Sequence, residues 1–182
     1  FVDGLDRYRD IKGVPDLITG LETPLGRFAH LCGQLRFQKR WSQTPRVPET
    51  SVIGHMFLVA CYGYFFSICL DACPARRLND FFAGLFHDLP ELLTRDIISP
   101  VKKSVPELKE LISAYEREEL SRRVLTPLSE AGFENLSDRL SYFLGLAVGD
   151  EFKDTVQTDR GVEVGDLTRL SGEWNKDGLD PK

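Results

Sequence analysis

Apolar residues recur along the chain at the spacing of helices. After Thr23 and Pro24 they recur at helical spacing: Leu25, Phe28, Leu31, Cys32 and Leu35. This is the spacing of one helical face, and proline is favoured in the first helical turn, so the pattern predicts a helix that begins at Pro24. A second run, from about Val52 to Leu70, is apolar nearly all round. Such a run is typical of a buried helix.

A third helical pattern leads into the stretch 81–102, where most of the candidate chemistry lies. Its apolar positions again have helical spacing: Phe81, Phe82, Leu85, Phe86, Leu89 and Leu93. This predicts a core helix that ends in the adjacent pair His87 and Asp88. Further helices are predicted from Pro106 to Leu125 and over residues 134–146, with no strong strand pattern and no internal repeat. The chain is therefore predicted to be all-α.

Length and composition allow one domain with a hydrophobic core, because the 182 residues are 42% hydrophobic and 28% charged. We expect a single domain over residues 1–182, with its core over about 23–148. The net charge of −5 argues against binding to a nucleic-acid polymer, since phosphate backbones are bound by clustered lysines and arginines. A small anionic substrate is compatible with this charge.

Cysteine spacing and hydropathy favour a cytoplasmic protein. The four cysteines form no zinc-type CxxC pair, and three lie in or beside apolar runs, where cysteine behaves as a small hydrophobic residue. Free thiols suit a reducing compartment. The longest apolar run, 56–70, is interrupted by Gly63 and Ser67 and is short for a membrane span. We recognise no signal peptide and expect no membrane partner.

Three side chains in the second and third helices are candidates for binding a metal ion. His87 and Asp88 stand together where a buried helix ends, and imidazole and carboxylate are both metal ligands. In isolation such a pair more often marks a helix end with a hydrogen-bonded histidine. His55, in the first turn of the second helix, can point its ring into a cleft while the rest of the helix packs. His30 has no partner nearby in sequence, so we leave it outside the site.

The loop between the first two helices contains Arg40 and Trp41 and is punctuated by Pro45 and Pro48. Two interpretations are equally open. The loop is either solvated, with the tryptophan covering part of the core, or it binds an anion. In the second case the guanidinium suits a phosphate and the indole suits the face of a sugar or base.

Four motifs follow one another between residues 35 and 125. Arg40-Trp41 precedes an extended loop, T-S-V-x-x-H ends at His55, H-D-x-x-E-x-x-T-x-D runs from His87 to Asp96, and S-P-V-K ends at Lys102. In this order they resemble the HD-domain metal-dependent phosphohydrolases, and most closely the bacterial 5'-deoxynucleotidase branch of that superfamily.

The resemblance implies an HD-domain helical bundle that binds a divalent metal ion, with Mn, Co, Fe, Zn or Mg as the candidates. The implied ligands are His55, His87 and Asp88. Glu91 is expected to position or activate the attacking water, and Asp96 to meet the sugar hydroxyl. Phosphate or sugar is expected to contact Arg40, Trp41 and Lys102. The implied substrate is a small nucleotide, a nucleoside 5'-monophosphate with deoxynucleotides favoured, and a homodimer is a possible assembly.

The chain departs from the pattern of that branch at two points. Arg95 replaces a small residue before Asp96, which places positive charge and bulk beside the sugar position. The family's last metal ligand is an aspartate on a later helix. Asp138 is the closest visible match, but it comes early, and we assign no fourth ligand. These departures leave two alternatives, an HD hydrolase of another nucleotide phosphoester or a non-catalytic HD module that binds a nucleotide or a partner.

Overall fold

The computed structural model describes residues 2–39, 49–94 and 106–182. These residues are mainly helical, with one small two-stranded sheet, which confirms the prediction of an all-α fold. The α-helices, numbered α1 to α10 in chain order, are Val2–Leu5, Val14–Thr19, Pro24–Gln34, Val52–Cys69, Pro74–Phe86, Glu91–Thr94, Pro106–Leu120, Thr126–Glu130, Glu134–Phe143 and Leu167–Ser171. Three 3₁₀ turns are Asp6–Tyr8, Gly20–Glu22 and Asp177–Leu179, and a π-turn covers Ser121–Leu125.

The described chain divides into two compact units. One consists of residues 1–51 and 90–137, and the other of residues 52–89 and 138–182. The candidate metal ligands His55, His87 and Asp88 all belong to the second unit.

In the first unit, α3 begins where the sequence predicts. The Thr23 hydroxyl accepts a hydrogen bond from the main-chain N–H of Gly26, which satisfies one of the free donors at the helix start. A Cβ at Gly26 would lie 1.8 Å from the carbonyl oxygen of Gly20, so only glycine lets this turn pack so closely. Phe28 and Leu35, on the predicted apolar face, are buried in the core.

The helix predicted from Pro106 to Leu125 is an α-helix as far as Leu120 and a π-turn beyond it. A π-helical turn has hydrogen bonds between residues five apart. Leu120, which precedes the turn, and Leu125, its last residue, are both buried. Next to this turn, the Glu119 carboxylate accepts hydrogen bonds from Arg122 at 2.9 and 2.8 Å and from Arg123 at 2.5 Å. These bonds, with Arg122 contributing most, lower the pKa of Glu119 to about 2.

In the second unit, α4 and α5 form an antiparallel helical hairpin that depends on small residues. A Cβ at Gly84 on α5 would lie 2.8 Å from the backbone of Ala60 on α4, and one at Gly63 would lie 3.1 Å from the carbonyl oxygen of Asp80. The two backbones therefore approach more closely than larger side chains would allow. This close crossing fixes which residues of the two helices face each other.

The prediction that α4 is buried all round is wrong. Its buried residues are Val52, Met56, Ala60 and Ser67, while five large apolar side chains are each more than half exposed: Phe57, Leu58, Tyr62, Phe65 and Phe66. The reason is that α5 covers one face of α4 in this unit. Among the described helices, α4 is long and apolar enough to cross a membrane, a test that core helices of soluble proteins also pass.

Helix α5 also differs from the apolar core helix that its sequence predicts. Its fully buried positions are Arg76, Asn79 and Gly84, whereas Leu78 is 54% and Phe82 is 37% exposed. Asn79 donates to the Asp180 carboxylate and to the carbonyl oxygen of Pro181, both at 2.7 Å. The buried face of α5 is thus polar, and residues 180 and 181 accept part of its hydrogen bonds.

Residues 155–182 form a small subdomain that the sequence did not predict. Strands β1 (Thr155–Thr158) and β2 (Gly161–Val164) make an antiparallel hairpin, and the chain around Pro181 pairs with β1 on its other side. Val156, Leu170 and Trp174 are buried together behind it. This subdomain gives the segment 175–182 a fixed position against α5.

The start of α5 is capped from this segment. Cys73, at the cap position, makes no side-chain hydrogen bond of its own. Instead the Asn175 side chain accepts from the N–H of Cys73 at 2.6 Å, and the Asp177 carboxylate accepts from the N–H of Ala75 at 2.7 Å. A carboxylate at a helix N-terminus also interacts favourably with the helix dipole. These two residues therefore hold one end of the helix whose other end carries His87.

We expect Asp177→Ala to lower the free energy of unfolding by about 1 kcal/mol, because it removes a helix cap. Urea unfolding followed by circular dichroism measures the change. Asp159→Ala, in the exposed turn of the β-hairpin, is the control and should change stability little. Equal effects of the two substitutions would contradict capping by Asp177.

The lowered pKa of Glu119 makes a pH-dependent contribution to stability. Its carboxylate is charged in the folded state down to about pH 2, whereas in the unfolded chain it takes up a proton near pH 4.5. The stabilisation is therefore fully present above pH 4.5 and is lost as the pH falls towards 2. Glu119→Gln should reduce the fall of the urea unfolding midpoint between pH 4.5 and pH 2. Glu118→Gln, at the exposed neighbouring position, should not change the size of that fall.

Candidate metal centre

The α4–α5 hairpin places two histidines side by side. His55 lies in the first turn of α4, and His87 directly follows the last residue of α5. Because the helices are antiparallel, the start of one meets the end of the other. The two imidazole rings are 5.3 Å apart between centroids and meet edge to face.

The Asp88 carboxylate lies between these rings. Its Oδ2 atom is 3.1 Å from Nε2 of His87 and 3.7 Å from Nε2 of His55. The side chain of His87 is 6% exposed, that of Asp88 14% and that of His55 25%. The cluster is therefore sheltered but open on the side of His55.

A main-chain hydrogen bond fixes the chemical form of His87. Its Nδ1 atom is 2.8 Å from the carbonyl oxygen of Gly84. A carbonyl can only accept, so Nδ1 carries the proton, and in the neutral ring Nε2 presents a lone pair. This is the arrangement in which a carbonyl orients a metal-binding histidine and raises its basicity.

Two electron-pair donors so close together require a positive charge between or beside them. A lone pair on Nε2 of His87 and a carboxylate oxygen at 3.1 Å repel each other unless a proton or a cation joins them. The third donor, Nε2 of His55, faces the same carboxylate oxygen. The arrangement therefore suits a cation with more than one ligand.

The three side chains fit a divalent metal ion. Their ligand atoms all lie within 4.8 Å of one another. Ligand atoms at about 2.1 Å from one ion, separated by angles of 90–110°, lie about 3.0–3.5 Å apart, close to the 3.1 and 3.7 Å that separate Oδ2 of Asp88 from the two histidine nitrogens. Two imidazoles and one carboxylate suit borderline ions such as Mn, Fe, Co and Zn. The cluster could hold such an ion, and its geometry does not select among them.

The structure brings together the three residues predicted as metal ligands, His55, His87 and Asp88. The other predicted site residues cannot be placed beside them. Arg40, Trp41, Asp96 and Lys102 lie outside the described residues, as does Arg95. The backbone of Glu91 is described, within α6, but its side chain is not.

Asp88 and Glu91 do not lie on one continuous helix. Helix α5 ends at Phe86, residues 87–90 form turns, and a new helix begins at Glu91. Pro90 explains the break, since the residue before a proline is disfavoured in helical conformation. A role for Glu91 therefore rests on the motif and not on helical spacing.

Asp138, the closest sequence match to a fourth ligand, is not part of the cluster. It lines a different cavity of about 410 Å³, together with side chains of α9 and of the β-hairpin that include Tyr142 and Gln157. Within the described residues, the candidate metal group consists of two histidines and one aspartate.

Two residues beside the cluster were missed by the sequence analysis. Gly84 acts through its carbonyl oxygen, which every residue possesses, so its side chain gives no signal. Phe152 lies with its ring 5.6 Å from that of His87, at the edge of the cluster. As a single aromatic residue in the charged run D-E-F-K-D, it could have been noticed.

Comparison with protein families finds a match over most of the chain. A sequence model described as the HD domain matches residues 32–171, which is more than half of the chain. The match covers the whole metal cluster. Neither the curated proteins nor the solved structures contain a matching protein.

Removing either histidine should remove the metal. We expect His55→Ala and His87→Ala to weaken binding of Mn²⁺ or Zn²⁺ by more than about 100-fold, since loss of a mere orienting partner already costs 10–100-fold. Metal content after dialysis against the ion, measured by elemental analysis, gives the result. His30→Ala, which alters the remaining histidine at an exposed position of α3, is the matched control. Retention of metal by His87→Ala would show that the site lies elsewhere.

Proposed function

Because the chain belongs to the HD domain family, whose members are typically metal-dependent phosphohydrolases, we propose that it hydrolyses the phosphomonoester of nucleoside 5'-monophosphates, with deoxynucleotides favoured. The observation that carries the proposal is the state of His87. Its Nδ1–H is held by the carbonyl of Gly84, and its Nε2 faces Asp88 with His55 alongside.

The metal-binding residues supply the centre of this reaction. In our proposal His55, His87 and Asp88 hold one divalent ion, drawn from Mn, Co, Fe, Zn or Mg. When bound, such an ion supplies Lewis acidity, which makes a water molecule more acidic and polarises a phosphoryl oxygen. The nearly complete burial of His87 excludes bulk water from one side of the cluster, and this strengthens electrostatic interactions there.

Glu91 is proposed to position the attacking water or to accept its proton. The support is its place in the motif H-D-x-x-E and the general need for a base within reach of the water. Asp96 is proposed to bind the sugar hydroxyl. An aspartate suits this role because its carboxylate accepts hydrogen bonds from a hydroxyl group.

Phosphate recognition is proposed to come from Arg40 and Lys102, with Trp41 against the sugar or base. Guanidinium and ammonium groups neutralise phosphate, and an indole offers a flat apolar face. Support comes from the order of the motifs in the sequence, in which Arg40-Trp41 precedes His55 and S-P-V-K follows Asp96. A cytoplasmic location, the absence of membrane and nucleic-acid partners, and a homodimer remain predictions.

A second enzymatic candidate is hydrolysis of another nucleotide phosphoester, such as a guanosine polyphosphate or a cyclic nucleotide. Arg95, next to the proposed sugar-binding Asp96, favours it, because an added positive charge suits a substrate with more phosphate. A non-catalytic nucleotide-binding or partner-binding module is the third candidate, supported by the three-residue metal cluster with no assigned fourth ligand.

A substrate panel separates these candidates. We expect release of inorganic phosphate from nucleoside 5'-monophosphates in the presence of Mn²⁺, Co²⁺, Fe²⁺, Zn²⁺ or Mg²⁺, and little release from 3'-monophosphates or diesters. Turnover only with cyclic nucleotides or polyphosphates would establish the second candidate. Absence of turnover with every metal and every substrate, in protein that retains one metal per chain, would exclude a phosphohydrolase.

Asp88 and Glu91 are expected to respond differently to substitution. Asp88→Ala should lose both metal and activity, because it removes a ligand. Glu91→Ala should retain the metal and lose about 10²–10⁴-fold in kcat, the usual contribution of a group that positions or deprotonates water. Metal content and steady-state kinetics on both variants test this, with Glu110→Ala on the exposed face of α7 as control. A metal-free Glu91→Ala would refute the division of roles.

A further inference from the structure

Helix α5 carries a buried arginine whose hydrogen-bonding capacity is not fully used. Arg76 is 6% exposed, and among the described residues its Nε and Nη1 atoms have no hydrogen-bond partner. The Asp80 carboxylate, one turn further along, is 3.5 Å from Nε, close enough for an ion pair but without hydrogen-bond geometry. Buried donors without acceptors are rare, because the loss of water is left uncompensated.

This guanidinium lines a cavity of about 190 Å³ inside the second unit. The walls come from α4, α5, residues 151–154 and Lys182. A volume of about 10–15 Å³ on this measure holds one water molecule, so the cavity has room for a ligand of several heavy atoms. Gly63 and Ala83 line it with little side-chain bulk.

The two most deeply buried charges in the wall are both positive. Lys182 is 6% exposed, like Arg76, and its ammonium group donates to the carbonyl oxygens of Tyr142, Phe143 and Glu151 at 2.9, 3.3 and 3.2 Å. Burial lowers the pKa of Lys182 to about 8, because desolvation disfavours the charged ammonium. A buried cation gains most from a nearby anion.

The wall of the cavity also carries three carboxylates, those of Asp80, Glu151 and Asp154. Asp80 already accepts a hydrogen bond from the Ser67 hydroxyl, and burial raises its pKa. Glu151 and Asp154 are only partly buried, and Lys153 is exposed. The acidic groups favour a ligand of low charge that carries hydrogen-bond acceptors, and they disfavour a large polyanion.

From these observations we propose that the cavity beside Arg76 binds a small oxyanion, such as inorganic phosphate or a carboxylate, with Arg76 as the principal contact. The ligand's oxygens supply the acceptors that Nε and Nη1 lack. This site differs from the metal cluster, although Gly84 and Phe152 border both: each lines the cavity, while the carbonyl of Gly84 and the ring of Phe152 contact His87. The proposal does not depend on the chain being a phosphohydrolase.

The first test is thermal unfolding of the full chain, treated with a chelator, in phosphate, acetate or chloride at equal ionic strength. A ligand that binds only the folded state raises the unfolding temperature. We expect phosphate or acetate to raise it relative to chloride, and the comparison of the two identifies the preferred oxyanion. An equal unfolding temperature in all three salts would overturn the proposal.

Two substitutions beside the cavity should act in opposite directions. Arg76→Gln should abolish the oxyanion-dependent shift, because it removes the charge and most of the donors. Asp80→Asn should enlarge the shift, because it removes a negative charge while an amide oxygen can still accept from Ser67. If Arg76→Gln fails to fold, the proposal is tested by whether Asp80→Asn raises or lowers the oxyanion-dependent shift. A reduced or unchanged shift in Asp80→Asn would contradict the site.

Asp88→Ala separates this site from the metal cluster, since it should lose the metal but retain the oxyanion-dependent shift. A crystal structure in phosphate should show the anion against Arg76. Ordered water alone in the cavity, or an equal shift in Arg76→Gln, would show that phosphate acts elsewhere on the protein, and the proposal would fall.

Discussion

The close crossing of α4 and α5 is the constraint on which the candidate metal centre depends. Gly84 meets the backbone of Ala60, and Gly63 meets the backbone of Asp80, so the two helices have one register in which they can pack. That register places His55 beside His87, with Asp88 between them. A larger residue at Gly84 would separate the helices by moving backbone against backbone, and the histidines would move with them. The positions of the candidate ligands are therefore set by glycines, which have no reactive group themselves.

Side-chain hydrogen bonds anchor the start of helix α5 and orient His87 at its end, which gives the candidate metal ligands a rigid support. At its start, Asn175 and Asp177 accept from the first N–H groups. At its end, the carbonyl of Gly84 accepts from Nδ1 of His87. Between these points Asn79 bonds to Asp180 and Pro181, and Arg139 pairs with Asp180. Ligands must be held to within a fraction of an ångström for metal chemistry. Here residues about 100 positions later in the chain contribute to that support.

The sequence predicted most of the described helices and the candidate metal cluster, and its errors have physical reasons. Helix α3 was predictable because Thr23 and Pro24 mark its start and its apolar face is regular. His55, His87 and Asp88 were predictable because their motifs resemble a family with a known order of ligands. The exposure of α4 was not predictable, because hydropathy measures the tendency of a side chain to leave water and does not identify its packing partner. Five large apolar side chains of α4 are more than half exposed. The β-hairpin was missed because two four-residue strands, Thr155–Thr158 and Gly161–Val164, give too short a pattern.

Helix α5 shows most clearly why buried polar residues escape hydropathy analysis. Arg76, Asp80, Gly84 and His87 follow at intervals of four, four and three, so they form a stripe along one face of the helix. Apolar periodicity assigns the opposite residues to the core, yet Arg76 and His87 are more than nine-tenths buried and Phe82 is 37% exposed. Burying charged and polar groups costs free energy unless each gains a partner. His87 has its carbonyl and its carboxylate, and Asp80 has Ser67. Arg76 is the member of the stripe whose Nε and Nη1 atoms lack acceptors among the described residues, so the cost of its burial is left partly uncompensated at the wall of the cavity.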